Sequence, residues 1–109
     1  MASETLGDVL TRLYGIIEAR KGAAPDASYT ASLLAAGASR CAKKFGEEAV
    51  EAAIAGAMGD KAALTDEAAD VLYHLLVLIA AADVAPADVA AALAGREGVS
   101  GHEEKAGRG

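Results

Sequence analysis

The chain holds a single cysteine, Cys41, among its 109 residues. That excludes an internal disulfide and any zinc site built from several thiolates. Within a helix-favouring stretch, Cys41 reads as a small core residue. Aromatic residues supply only 4% of a composition that is 53% apolar, and much of the apolar share is alanine. Strands draw on Val, Ile, Thr and aromatics, so this balance argues against a β-sandwich and for closely packed helices. No period-two alternation and no internal repeat opposes that reading. Long apolar runs are missing too. The stretch 71–82 is apolar apart from Tyr73 and His74, too short to cross a bilayer, and reads as a buried core helix. Basic charge is in deficit, with 10 Lys and Arg against 16 Asp and Glu, a net −6. No nucleic-acid backbone and no membrane is therefore expected as a partner. A phosphorylated small molecule stays open, because a bound divalent cation can reverse the local sign. The N-terminus shows no basic region followed by an apolar run, so a cytoplasmic location is the default expectation.

What is present is helix pattern. Leu6, Val9, Leu10, Leu13, Ile16 and Ile17 fall on one stripe, predicting a first helix from about Glu4 to Arg20 with Ser3 as its cap. GAAPDAS reads as a loop closed by Ser28, the N-cap of a short helix over about Tyr29 to Ala36. Gly37 marks a break before a helix over about Ala38 to Ala57, and Asp60 caps a long helix reaching about Ala82. Pro86 suits the first turn of a last helix through about Ala94. The expected fold is all-α, a small bundle of about five helices. Residues 1–95 form the domain and 96–109 a flexible, charged tail. A domain this small buries a modest core alone, which favours an oligomer that shares its core.

The segment KKFGEEAVEAAI raises the chemical question. On a helical wheel Val50, Ile54, Ala57 and Met58 form an apolar arc, Glu47 falls inside it and Glu51 at its border, with Glu48 further round. In the long helix Glu67, Asp70, His74 and Leu78 share one stripe, and the later part is apolar nearly all round. Both sets of acids are therefore expected to face packed neighbours. An EExxE on a solvated face is common, and that reading stands beside the sharper one. If five carboxylates converge, they either protonate or share a cation. Hard carboxylate oxygens suit Mg²⁺ or Mn²⁺, and spacings of three and four residues let successive turns of two antiparallel helices address one ion.

Other residues have two readings each. Lys43 and Lys44 precede the acids by one turn and either pair with them on the surface or contact phosphate. His74 orders the acids from behind or is a satisfied core histidine, and is less suited to ligate. Tyr73 is expected to point away from the acids and to pack. Ser28, Tyr29 and Thr30 either cap and staple their helix or line a substrate pocket.

EEAVE, fifteen intervening residues and then EAAD together resemble the EExxE…ExxD signature of the all-α, MazG-like nucleoside triphosphate pyrophosphohydrolases. SYTASLL (28–34), KKFGEEAVEAAIA (43–55), DEAADVLYHLLVLIAA (66–81) and SGHEEKAGR (100–108) are more specifically similar to the phosphoribosyl-ATP pyrophosphohydrolase family. The resemblance implies hydrolysis of the α–β phosphoanhydride of phosphoribosyl-ATP to phosphoribosyl-AMP and pyrophosphate, the second step of histidine biosynthesis. It implies Mg²⁺ and a homodimer whose helices complete a four-helix unit around each site. It puts Glu47, Glu48, Glu51, Glu67 and Asp70 at the motif positions. Of these, Glu48, Glu51, Glu67 and Asp70 are the expected ligands and Glu47 the expected base or additional ligand. Lys44, Lys105 and Arg108 are the candidates for substrate phosphates. A house-cleaning enzyme for non-standard nucleotides is the nearest alternative, and a non-enzymatic dimerisation module with an acidic groove is another. A di-iron bundle would need paired ExxH motifs, and the chain contains none.

Overall fold

Gly37 sets the geometry of the site before any acid is considered. Its φ of +95° is closed to most side chains, and it serves at once as C-cap of one helix and N-cap of the next. The computed structural model describes residues 3–98, in which five α-helices follow one another: α1 Leu6–Ala19, α2 Tyr29–Ala36, α3 Ala38–Ala57, α4 Lys61–Ala81 and α5 Pro86–Ala94. Among the described residues there is no strand.

Local chemistry explains the boundaries. Helix α1 begins at Leu6, two residues later than expected, because Thr5 and not Ser3 caps it. The Thr5 hydroxyl accepts from the Asp8 amide at 3.1 Å while the Asp8 carboxylate accepts from the Thr5 amide, a reciprocal capping box. The expected loop 22–28 holds one 3₁₀ turn, Pro25–Ala27, started by the fixed φ of proline. Ser28 accepts from Ala31 N at 3.0 Å to start α2, and Asp60 accepts from Ala63 N at 3.0 Å to start α4.

Helices α3 and α4, joined only through Met58, Gly59 and Asp60, make the most extensive helix pair. A connection this short forces an antiparallel hairpin. Helix α1 packs on α4, and α2 packs on both α3 and α4. The core at their meeting point is Ile17, Leu33, Cys41, Val77 and Ala80, flanked by Leu13, Tyr14, Leu34, Tyr73 and Leu76. The Cys41 thiol donates to the Leu33 carbonyl at 3.3 Å, and burial pushes its pKa up, as befits a packing residue.

Two expectations need correction. The α3 arc read as buried faces outward, with Val50, Ile54 and Met58 at 60%, 59% and 77% exposure. Nor is α4 enclosed: Leu72, Leu75, Leu76 and Ile79 line an open apolar groove of about 590 Å³ whose other walls come from α1 and α5. Helical periodicity identifies an apolar face but not what covers it, and one chain has too few helices to cover both. The radius of gyration, 15.9 Å, also exceeds the about 13 Å expected of a compact domain of this length.

Ile17→Ala should cost about 2–5 kcal/mol, the usual range for emptying a filled core position. Asp60→Ala should cost about 1 kcal/mol through the lost cap. Urea unfolding of each variant against wild type checks both values.

Candidate active site

The α3–α4 hairpin aligns the middle of one helix with the first turns of the next. Glu48 projects from α3, and Glu67 and Asp70 project from successive turns of α4. Each offers a carboxylate oxygen within 4.8 Å of the others. Asp70 is exposed, and Glu48 and Glu67 are half-buried. Glu67 Oε2 is shut off from solvent and has no hydrogen-bond partner. A buried oxygen that carries charge and lacks a donor is costly. A cation would remove that cost, and three carboxylates are the donor set a hard divalent ion prefers. The residues present therefore fit a metal ion.

Electrostatics agree with the geometry. The Glu67 pKa is raised, first by burial, then by the charge of Glu51 and a hydrogen bond with it, and then by the charges of Asp70 and Glu48. Glu51 thus lies against the same group although it is not one of the three. Glu47 is exposed and stands outside it. Lys44, one turn before Glu48, is half-buried and makes no ion pair among the described residues. Lys105 and Arg108 lie outside the described residues.

Beside the acids, α2 is pinned to α4 by two neighbouring contacts. His74 Nδ1 is 2.8 Å from the Asp70 carbonyl oxygen, which can only accept, so Nδ1 carries the proton. In the neutral ring Nε2 then accepts, from the Tyr29 hydroxyl at 3.2 Å. His74 is only 7% exposed and holds the main chain of Asp70, not its carboxylate. One residue along on each helix, Thr30 Oγ1 and the Tyr73 hydroxyl share a hydrogen bond. The rings of Tyr29, Tyr73 and His74 also touch: Tyr29 stacks on Tyr73 at 6.3 Å, and His74 meets Tyr73 edge-on at 4.9 Å. Tyr73, expected only to pack, is thus also a polar contact. The pairing of YT on α2 with YH on α4 is the signal that sequence reasoning passed over.

The fold and the site together describe a helical protein built around an acidic group that could hold a metal ion. Residues 10–97 match the family described as phosphoribosyl-ATP pyrophosphohydrolase, and the chain belongs to that family of hydrolases. A protein named phosphoribosyl-ATP pyrophosphatase from Cereibacter sphaeroides is 64% identical over 101 residues, covering 93% of this chain and 98% of the relative. One of the same name from Dinoroseobacter shibae is 65% identical over 100 residues, with coverage of 92% and 98%. Another from Paracoccus denitrificans is 61% identical over 99 residues, with coverage of 91% and 92%.

The raised Glu67 pKa carries a definite sign. The metal-free folded state holds that proton more tightly than the unfolded chain, so stability falls as pH rises from the ordinary carboxylate range through the folded-state pKa. Glu67→Gln should therefore raise the metal-free melting temperature at about pH 7.5, and the gain should shrink towards about pH 4. Thermal melts in chelator at both pH values check this. A loss of stability at both would make Glu67 a structural hydrogen-bond acceptor.

Proposed function

We propose that the protein hydrolyses the α–β phosphoanhydride of phosphoribosyl-ATP, releasing phosphoribosyl-AMP and pyrophosphate, in the histidine pathway of the cytoplasm. The observation that carries the reading is the three-carboxylate group with its unpartnered Glu67 oxygen, in a chain 64% identical to a named phosphoribosyl-ATP pyrophosphatase over nearly the whole length of both. Cleaving a phosphoanhydride requires negative charge on the phosphate oxygens to be offset and a water to be aimed in line.

Glu48, Glu67 and Asp70 are the side chains that would hold Mg²⁺, with Mn²⁺ as a substitute and Glu51 as a further ligand. When bound, the ion supplies charge neutralisation at the phosphates. Glu47, exposed and one turn before Glu51, is free to accept the proton of the attacking water. Lys44 contacts substrate phosphate from one turn before Glu48. Lys105 and Arg108 are assigned to the phosphates by family resemblance alone. His74 and Thr30 hold the α2 side of the site to α4 through Tyr29 and Tyr73.

A homodimer accompanies this reading. It is supported by the outward apolar arc of α3 and by the open apolar groove along α4, where Val50, Ile54 and Met58 and the groove-lining leucines lack full cover among the described residues. Neither nucleic acid nor membrane is part of this proposal, in keeping with the chain's net charge of −6.

Pyrophosphate release from phosphoribosyl-ATP should require Mg²⁺ and should exceed release from a panel of deoxynucleoside triphosphates. Glu48→Gln should lower kcat/KM by about 100-fold or more, the scale of losing a group that acts in the transition state. Faster turnover of the deoxynucleotides would replace this reading with the house-cleaning one, and full activity of the variant would remove Glu48 from the site.

A further inference from the structure

The reaction proposed above leaves the purine end of the substrate without a recognised partner. A purine is held by its π face or its polar edge, and stacking on an aromatic ring is worth about 1–3 kcal/mol per base. The chain carries only three tyrosines, one phenylalanine and no tryptophan. Among the described residues Tyr29 is the only exposed aromatic ring, at 52%, while Tyr14, Phe45 and Tyr73 are half-buried.

Tyr29 is also held as a recognition surface should be. Its hydroxyl is tied to the buried His74 at 3.2 Å, and Tyr73 lies near-parallel behind it at 23°. A ring backed on one side, tethered at its tip and still half exposed presents its remaining surface to solvent. Ordering such a ring costs little further entropy when a ligand arrives. The same tether fixes its location. His74 joins Tyr29 to the Asp70 carbonyl, so the open ring sits one helical turn along α4 from the acid group. Among the described residues it is the exposed aromatic side chain tied to a member of the acid group, and so the one available to the base of a nucleotide whose phosphates lie at the acids.

We infer that Tyr29 is the base-stacking residue of this site and that its open face receives the purine ring of the substrate. The inference rests on the proposed reaction for the substrate's identity, but its test does not need turnover. The probes are adenosine monophosphate, which carries the base, and inorganic pyrophosphate, which does not, each titrated calorimetrically with Mg²⁺ into the intact protein. Tyr29→Leu should weaken adenosine monophosphate binding by about tenfold, equivalent to about 1.4 kcal/mol. Tyr29→Phe, which keeps the ring and loses only the tether, should stay within about threefold of wild type. Pyrophosphate affinity should be unchanged in both variants, and both should lose a similar, small amount of melting temperature, because each leaves the buried His74 Nε2 without its donor. With phosphoribosyl-ATP, Tyr29→Leu should raise KM and leave kcat nearly constant. Equal adenosine monophosphate affinity in wild type and Tyr29→Leu, or no binding by wild type, would overturn the inference. Parallel loss of both ligands, as large in Tyr29→Phe as in Tyr29→Leu, would overturn it too, as the mark of a structural tyrosine. Absence of wild-type turnover would instead remove the proposed reaction.

Discussion

Glu67 is held where its charge is least welcome. One of its oxygens is sealed from water without a donor, and the carboxylates of Glu48, Asp70 and Glu51 crowd the same group. The α3–α4 hairpin makes this arrangement possible. A short connection and a long shared interface give enough apolar contact to hold like charges together. Gly37 and Asp60, which set where α3 and α4 begin, therefore matter to the site although neither belongs to it. A protein has little use for such crowding unless something positive relieves it, and that requirement links the fold to phosphoanhydride chemistry.

The remaining helices support this pair. Helix α1 contributes Ile17 to the core, and Lys21 just beyond it reaches Asp83 at the end of α4 at 3.3 Å. Helix α2 reaches α4 through two adjacent side-chain pairs, Tyr29 with His74 and Thr30 with Tyr73. These place an aromatic wall beside the acids and anchor the main chain of Asp70. An open apolar groove runs along α4 between α1 and α5. The site is thus firmly built on the α2 side.

Much of this was legible in the sequence, and the rest was hidden for identifiable reasons. Ser28, Gly37, Asp60 and Pro86 mark helix ends through local chemistry, and the structure begins or ends helices at each. The start of α1 was misread because Ser3 and Thr5 are equally good caps on paper; only Thr5 has Asp8 three residues on to answer it. Val50, Ile54 and Met58 were assigned to a buried face because a wheel shows which residues share a side and not what lies opposite. The nearness of Glu48 to Glu67 and Asp70 followed from motif spacing and an assumed hairpin. The position of Glu51 just outside that trio depends on helix packing that no spacing encodes. The Tyr73–Thr30 bond joins residues 43 positions apart and has no local signature.

On the proposed reading, the crowded acids of α3 and α4 hold a divalent cation. Calorimetric titration of Mn²⁺ into wild type and Glu67→Gln measures this without substrate. Saturable binding to wild type and at least about a tenfold weaker constant in the variant, the scale of a lost charged ligand, are expected. Equal Mn²⁺ affinity in the two proteins would contradict that reading.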